Sequence, residues 1–477
     1  MNKLTKKQLT WYGLSGMGPN MLNLMVGSYL CDALMTKGFI EDIEHWTYLN
    51  KTLVVVAVWS ILVTIAKIID GIADVPLGAW TDKLKSKWGK RRPAMLIGII
   101  VMLIAYFAFL FVPVKNVGEN GSLFNTIYFG VFLAVFYSAY TLLMVTYYAT
   151  FSEVTDNQVD RVYLSNIKST VDIIYFVLGY AAIPAVIGLA NIRVLSLIVL
   201  VFMASMLIPF VLLKERSTLD KDVEAYKNEH PEEENEIKEI EPGMIESIKY
   251  TVKNKDFMIW MIIYAALQFG LSMFLTGFNV YYSGTMGLSG IKITLCNVAG
   301  FGPLPLTLIL FNKIVNKKGF KFGYQYSLLI FSIGMILALF CRPNFMPNEN
   351  VRLTFAIIGN LICSFGIGSF FSVSYTVPSQ IAADEREKTG ISHPAMYFAI
   401  QGLVEAIVSA IATGIIWVNL KNIPARGNFL LYPAGGSGLL FLFVAIGCIL
   451  SLILSVFLPK SLTNVGKIVK DDEVTTK

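Results

Sequence analysis

Apolar segments long enough to cross a membrane recur along this whole chain of 477 residues. About 30 Å of hydrocarbon needs roughly 20 predominantly apolar residues in a helix. We identify twelve such segments, at 12–36, 50–80, 93–113, 124–151, 164–190, 194–213, 255–284, 290–312, 324–341, 353–379, 393–419 and 436–458. The pattern predicts an all-α membrane protein with twelve transmembrane helices.

The composition excludes several other classes of protein. Only 15% of the residues are charged and 55% are hydrophobic, whereas soluble domains carry about 25% charged residues. A soluble enzyme, a disordered protein or a nucleic-acid binder is therefore not expected. We find no nucleophile–base pair, no phosphate-binding loop and no cysteine pair with metal-ligand spacing. The sequence predicts no enzyme and no cofactor, and the bilayer is the expected surrounding.

The distribution of lysine and arginine predicts the orientation of the chain. If the N-terminus is cytoplasmic, 29 of the 39 Lys and Arg residues lie on the cytoplasmic side and 9 on the other side. Such a bias is typical of cytoplasmic loops. We therefore expect both termini in the cytoplasm and a multi-pass location in the plasma membrane.

The chain divides into two related halves. An acidic, polar stretch at 215–250 separates a bundle at 1–214 from a bundle at 251–477, and we interpret it as a cytoplasmic linker. The loop at 82–89 resembles the loop at 312–319 in its lysine and final glycine. Two related six-helix halves are typical of the major facilitator fold, in which a substrate cavity lies near the membrane midplane.

Three charged residues occupy one face of the second predicted span. Lys67, Asp70 and Asp74 are spaced three and four residues apart, which aligns them on a helix. Charges within a membrane are costly and mark functional candidates. Two carboxylates one turn apart can share a cation, or one of them can hold a proton. The structural alternative is a salt bridge between Lys67 and its neighbours.

The same segment resembles the glycoside–pentoside–hexuronide:cation symporter family of the major facilitator superfamily. The resemblance rests on Lys67-x-x-Asp70-x-x-x-Asp74-x-Pro76-x-Gly78-x-x-x-Asp82, on Trp88-Gly89-Lys90-Arg91-Arg92-Pro93, and on the tyrosines and threonine of the fourth span. It covers the whole chain, with its specific motifs in the first half. It implies a secondary active transporter.

The resemblance implies a cation site at Asp70, Asp74 and Thr141. A polar residue stands between the two aspartates in the family, whereas this chain has Ala73. Sodium needs several oxygen ligands, while a proton needs only one carboxylate. We therefore favour H⁺ over Na⁺ as the coupling ion, and Na⁺ at Asp70 and Asp74 stays the main alternative.

The resemblance also implies a substrate site. Two positions that are acidic in the family correspond to Asn20 and Met144, so a different sugar, a uronide or a non-sugar substrate is expected. The candidate substrate-binding residues are Asn20, Tyr140, Met144, Tyr148, Lys168, Gln401 and Glu405. We interpret Asp172 mainly as a local partner of Lys168, one turn away.

A basic loop follows the second span and predicts a conformational gate. In the superfamily such a loop pairs with acids across the two halves in one state and releases them in the other. The candidate gate residues are Asp82, Lys90, Arg91, Arg92, Glu153 and Arg161. The alternative is that these charges only set the topology.

The leading hypothesis is cation-coupled symport of a sugar, glycoside or uronide by alternating access. A second hypothesis is a carrier of a non-sugar or lysolipid substrate, which Met144 fits weakly. A third, from another class, is a membrane sensor that does not transport. The retention of both Asp70 and Asp74 argues against the sensor.

Overall fold

The structure is a computed structural model of the full chain. It describes residues 3–37, 39, 43–82, 84–152, 154, 158–187, 189–229, 244–389, 394–427 and 430–463. The acidic centre of the predicted linker, at 230–243, lies outside the described residues. The chain forms two compact units, Met1–Lys37 with Ile43–Gly179 and Val186–Ile240, and Gly38–Asp42 with Tyr180–Ala185 and Glu241–Lys477.

The prediction of an all-α membrane protein is confirmed. Within the described residues, eleven helical runs are long and apolar enough to cross a membrane. They are Val56–Asp74, Arg91–Phe109, Leu123–Ala149, Thr170–Ile187, Ile192–Leu212, Lys255–Thr285, Ile291–Lys318, Phe320–Leu339, Glu349–Pro378, Met396–Lys421 and Gly435–Phe457. The first predicted span, 12–36, is also helical, but it is divided into shorter pieces.

Among the described residues, the helix Asp220–Glu229 comes last in the first unit, and seven principal helices precede it. These are α1 (Lys6–Leu14), α2 (Met17–Met25), α3 (Val56–Asp82), α4 (Arg91–Phe109), α5 (Leu123–Ala149), α6 (Gln158–Val177) and α7 (Ile192–Val199). The long helix α5 packs against both α3 and α4, and α1 packs against α6. Helix α5 therefore provides the main contact of α3 within the unit.

The division of the first span has a local cause. Helix α1 begins at a capping box, in which the Thr5 side chain and Gln8 satisfy each other's backbone N–H groups. It ends where the Ser15 hydroxyl donates to the carbonyl oxygen of Tyr12, at 2.5 Å. Just beyond, a Cβ on Gly18 would lie 2.5 Å from the carbonyl oxygen of Phe202. Glycine there permits close backbone packing of α2 on the segment that follows α7.

The second unit contains eight principal helices. These are α8 (Met244–Lys253), α9 (Lys255–Val280), α10 (Ile291–Phe301), α11 (Leu304–Lys318), α12 (Phe320–Leu339), α13 (Glu349–Thr389), α14 (Pro394–Ser409) and α15 (Leu440–Leu454). Helix α15 packs against α9 and α12, while α13 packs against α10, α11 and α12. Helix α14 packs against α9 and α13. This last contact positions the candidate residues Gln401 and Glu405.

A fully buried arginine joins the end of α12 to the segment that precedes α15. The Arg342 guanidinium donates to the carbonyl oxygens of Leu339 at 2.8 Å, Leu430 at 2.8 Å and Gly438 at 2.5 Å. Backbone carbonyl oxygens concentrated around one cation replace the water that the charge loses on burial. Arg342 is thus a structural cross-link within the second unit.

The stretch after α7 is anchored to the basic loop that precedes α4. One Glu215 carboxylate oxygen accepts the backbone N–H groups of Arg91 at 2.9 Å and Arg92 at 3.0 Å. These N–H groups begin α4 and have no partner within the helix, and Lys90 provides no side-chain cap. Gly89, at φ 84°, permits the approach because a Cβ there would overlap Glu215. A distant carboxylate therefore caps α4.

We expect Glu215→Ala to lower the free energy of unfolding by about 1–2 kcal/mol, because it removes a charged cap from a helix N-terminus. The measurement is denaturant unfolding of the purified protein in detergent. The control is Asp220→Ala, which breaks a nearby ion pair with Lys85. The Asp220 side chain is 72% exposed and the Lys85 side chain is 60% exposed. That change is expected to cost no more than about 0.5 kcal/mol. Equal losses in the two variants would contradict the capping role.

Candidate functional site

The two aspartates of the predicted cation site lie on α3, and Asp70 contacts α5. Asp70 and Asp74 are both partly exposed, and they are separated by one helical turn. The Thr141 hydroxyl of α5 donates to Asp70 Oδ1 at 2.7 Å. The structure thus joins Asp70 and Thr141, two of the three residues predicted for this site, by a direct hydrogen bond.

Lys67 does not neutralise these aspartates by direct contact. Its ammonium nitrogen lies 4.0 Å from the ring centroid of Tyr137, in a cation–π contact. Among the described ion pairs none joins Lys67 to Asp70 or Asp74. The geometry therefore does not support the alternative of a structural salt bridge, and the two carboxylates retain the capacity to bind a cation or a proton.

A second polar cluster connects α2, α5 and α6. The Lys168 ammonium forms an ion pair with Asp172, as the spacing on α6 predicts. Asn20 donates from Nδ2 to Asp172 Oδ1 at 3.2 Å, and its Oδ1 accepts the Tyr140 hydroxyl at 2.9 Å. Three predicted substrate-binding residues, Asn20, Tyr140 and Lys168, therefore belong to one network, with Asp172 at its centre.

The two polar clusters meet at neighbouring residues of α5. Tyr140 belongs to the Asn20 network, and the next residue, Thr141, is bonded to Asp70. A displacement of α5 relative to α3 or α2 would alter both sets of hydrogen bonds. The arrangement therefore connects Asp70 to the second cluster through adjacent residues of α5.

The other two α5 candidates lie further along the same helix. Met144 is buried, at 4% exposure, whereas Tyr148 is 42% exposed. The Lys168 ammonium nitrogen lies 5.3 Å from the centroid of the Tyr148 ring. Tyr148 therefore presents an accessible aromatic face beside the Lys168 cluster, while Met144 provides an apolar neighbour one turn away.

Gln401 and Glu405 form a separate cluster within the second unit. Tyr264 donates its hydroxyl to Glu405 Oε2 at 2.8 Å, and Trp260 donates its indole N–H to Gln401 Oε1 at 3.0 Å. Gln401 in turn donates to the carbonyl oxygen of Ser374 at 2.7 Å. Helices α9, α13 and α14 thus share one hydrogen-bond network around the two predicted residues.

Sequence reasoning missed Trp260 and Tyr264 on the α9 side of this network, whereas Gln268 is a polar residue for which it predicts a role as a cavity donor or an interhelical hydrogen bond. Trp260, Tyr264 and Gln268 recur every four residues and place three polar groups on one face of α9. The Gln268 amide donates to the Tyr264 hydroxyl, which extends the network along the helix. The four-residue spacing of these polar side chains was a signal in the sequence, but their partner Glu405 lies 141 positions from Tyr264.

The structure describes only some of the predicted gate residues. Arg91 is buried, and its guanidinium donates to the Thr81 hydroxyl at 3.4 Å. The Arg92 guanidinium carbon lies 4.7 Å from the Phe210 ring centroid. Lys90 is half-buried beside them. The side chains of Asp82 and Arg161, and the whole of Glu153, lie outside the described residues, so their role in a gate stays a prediction.

Metal chemistry has limited support in the part of the chain that the structure describes. No group of three or more His, Cys, Asp or Glu side chains there could hold a metal ion. A cation at α3 would be bound by the carboxylates of Asp70 and Asp74 and by the Thr141 hydroxyl. Such an ion would be cargo rather than a resident cofactor.

Apolar spans that enclose ionic and amide networks define a polytopic membrane protein. Residues 11–459 match the family described as MFS/sugar transport protein. The chain belongs to this family. It is a multi-pass membrane transporter of the major facilitator type and not an enzyme, as the sequence predicts.

A curated relative and two solved structures add detail. An uncharacterized symporter of Synechocystis sp. is 30% identical over 130 residues, and the match spans 25% of this chain and 24% of that protein. A POT family transporter in complex with 5-aminolevulinic acid superposes with TM-score 0.62 at 12% identity, over 96% of each chain. The nucleoside transporter NupG gives TM-score 0.58 at 15% identity, over 95% of this chain and 99% of NupG. These two structures establish the fold.

We expect Lys168→Met to lower the free energy of unfolding by about 3–5 kcal/mol, because it leaves the Asp172 carboxylate without its cation in a poorly hydrated site. The two side chains are 11% and 24% exposed. The double variant Lys168→Met with Asp172→Leu is expected to recover at least half of that loss. Denaturant unfolding in detergent measures all three proteins. A double variant as unstable as the single one would exclude the ion pair as the cause.

Proposed function

We propose that this protein is a secondary active transporter that couples the entry of a cation to the transport of a sugar, glycoside or uronide by alternating access. The observation that carries the proposal is the junction at Tyr140 and Thr141. It links Asp70, one of the two membrane aspartates of α3, to a network of amide, hydroxyl and ammonium groups. The description of the family and the name of the Synechocystis relative both support transport of this kind.

The proposed substrate site suits a molecule with hydroxyl groups and one flat apolar face. Asn20 and Tyr140 offer amide and phenol groups for hydroxyls, and the accessible ring of Tyr148 can stack on a sugar ring. Lys168 supplies a positive charge that Asp172 balances in the absence of substrate. A uronide carboxylate could take over part of that interaction, so we place acidic sugars alongside neutral ones as candidates.

Coupling follows from the cost of two negative charges on one helix. Asp70 and Asp74 repel each other, and burial among apolar helices strengthens the repulsion. A bound cation or proton removes it and allows α3 to pack more closely on α5. Because Thr141 is bonded to Asp70 and Tyr140 to Asn20, the same adjustment would reach the substrate network. This gives the cation a physical route to change substrate affinity.

We expect Asp70→Asn and Asp74→Asn each to abolish accumulation of substrate against its gradient, because an amide cannot carry the coupling charge. The measurement is uptake into proteoliposomes with an imposed cation gradient, over a panel of monosaccharides, disaccharides, glycosides and uronides. Asp220→Asn is the matched control, since its side chain is 72% exposed. It should accumulate substrate like the parent protein.

Exchange of labelled for unlabelled substrate at equal concentrations provides a second measurement. It requires substrate movement but no gradient, so a variant that has only lost coupling is expected to retain it. Concentrative uptake at the parental rate in both aspartate variants would refute the assignment of the coupling site. Failure of the parent protein to move any sugar in the panel would refute the substrate class.

The number of oxygen ligands around Asp70 and Asp74 favours H⁺ over Na⁺ as the coupling ion. Sodium stripped of water takes about six oxygens in a protein site, by analogy with the ligand numbers of other hard cations. The two carboxylates and Thr141 offer at most five, and Thr141 already donates to Asp70. A proton needs only one carboxylate oxygen and removes the repulsion equally well.

We expect uptake by the parent protein to respond to an inward proton gradient at fixed sodium concentration, and to respond little to sodium at fixed pH. We expect Ala73→Asn to create or increase a sodium response, because its amide oxygen completes the ligand set between Asp70 and Asp74. Ala73→Leu, of similar size but without oxygen, is the control. Strong stimulation of the parent protein by sodium alone, without a proton response, would overturn the choice of ion.

A further inference from the structure

A groove of about 770 Å³ opens on the surface of the second unit, between α11, α12 and α13. Its walls are apolar and aromatic, and they include Leu310, Ile314, Phe322, Tyr326 and Leu361. Leu310 is 51% exposed and Leu361 is 47% exposed, although both lie on helices that cross the membrane. We expect an exposed apolar surface on membrane-crossing helices to contact lipid.

One end of the groove is strongly basic. Lys313, Lys317 and Lys318 belong to the last two turns of α11 and line the groove. All three are exposed, and none of them forms an ion pair with a described carboxylate. The lining residues include no aspartate or glutamate. The groove therefore carries three positive charges that no acid in its walls balances.

The arrangement of the lysines is more specific than a general excess of positive charge. Lys313 and Lys317 are four residues apart, so they project from the same face of α11 toward the groove. The Lys318 ammonium nitrogen lies 4.1 Å from the centroid of the Phe322 ring, which fixes it at the mouth. Phe322 stacks on Tyr326, and Tyr326 packs edge-on against Phe365. These rings line the groove next to the lysines.

We propose that this groove binds an anionic phospholipid, with its phosphate headgroup at the three lysines and an acyl chain along the apolar walls. Charge complementarity selects the headgroup, because a phosphate diester can contact several ammonium groups at once. The exposed apolar walls select a lipid over a free phosphate, which would gain nothing from them. The Lys and Arg bias of the sequence predicts that this end of α11 lies at the cytoplasmic face, where anionic lipids attract basic clusters.

The groove is separate from the proposed transport machinery. It shares no residue with the Gln401 and Glu405 network in the same unit, or with the Asp70 and Lys168 clusters in the first unit. The lipid site therefore does not depend on the identity of the transported substrate or ion. Its test needs no transport measurement.

The test is a lipid titration of the delipidated full-length protein in detergent, followed by native mass spectrometry. Phosphatidylglycerol is compared with phosphatidylcholine of identical acyl chains. We expect the parent protein to favour phosphatidylglycerol by at least about tenfold in dissociation constant, since each lysine near a charged surface contributes about fivefold. The triple variant Lys313→Gln, Lys317→Gln, Lys318→Gln is expected to lose this preference.

Two controls distinguish a lipid held in the groove from attraction by bulk positive charge and from binding of the phosphate alone. The charge-matched variant Lys249→Gln, Lys253→Gln, Lys255→Gln changes three exposed lysines of the same unit outside the groove and should keep the preference. Glycerol phosphate, which has no acyl chain, should not displace the bound lipid.

A further variant tests the apolar walls. Leu361→Trp partly fills the groove while retaining the lysines, and it is expected to weaken phosphatidylglycerol binding at least about tenfold, because the larger ring occupies the volume that an acyl chain needs. Phosphatidylglycerol binding at the parental affinity in this variant would place the acyl chain outside the groove and contradict the proposal.

Four further outcomes would overturn the proposal. One is equal affinity of the parent protein for the two lipids. Another is an equal loss of preference in the control triple variant, which would indicate bulk charge. A third is displacement by glycerol phosphate, which would indicate a free-anion site. The fourth is a dimer in which the groove variants, but not the control, dissociate, because the occupant would then be a second copy of the chain.

Discussion

The cost of removing charge from water governs this structure more than any other constraint. Buried cations in the described residues have partners that replace their hydration. Arg342 is surrounded by carbonyl oxygens and Lys168 is paired with Asp172, while the half-buried Lys67 contacts the Tyr137 ring. Groups that are unpartnered in a membrane raise the energy of the fold, so each of these contacts limits how the helices can pack. Asp70 accepts a hydrogen bond from the Thr141 hydroxyl but has no ion-pair partner among the described residues, so its charge is less fully compensated than the charges of these cations.

A transporter can use a carboxylate whose negative charge is only partly compensated. A site whose charges are already fully compensated gains little from a cation, whereas a carboxylate pair with one hydroxyl donor gains a great deal. The Lys168 and Asp172 pair is the opposite case, because its charges are balanced before any ligand arrives. Under the proposed function, the first cluster would bind the coupling cation or proton, and the second would bind a neutral or acidic molecule with hydroxyl groups.

The accuracy of the sequence predictions depends on the separation of the partners along the chain. Hydropathy identifies the helices because each span must satisfy its own backbone, and a spacing of four residues predicts the Lys168 and Asp172 pair. Glu215 lies 124 positions from Arg91, and Tyr264 lies 141 positions from Glu405. Those contacts depend on which helices pack together, and a single sequence carries no signal of that.

The lysines of this chain illustrate why position decides function more than residue type. Lys168 is buried, and its charge would strongly destabilise the fold without Asp172. Its ammonium group therefore interacts with a partner inside the protein. Lys313 and Lys317 lie at the end of a span, where the ammonium group stays hydrated and an unbalanced charge costs little. Their electrostatic attraction is therefore directed outward, to whatever anions the membrane surface provides. An apolar groove beside them favours anions that carry acyl chains.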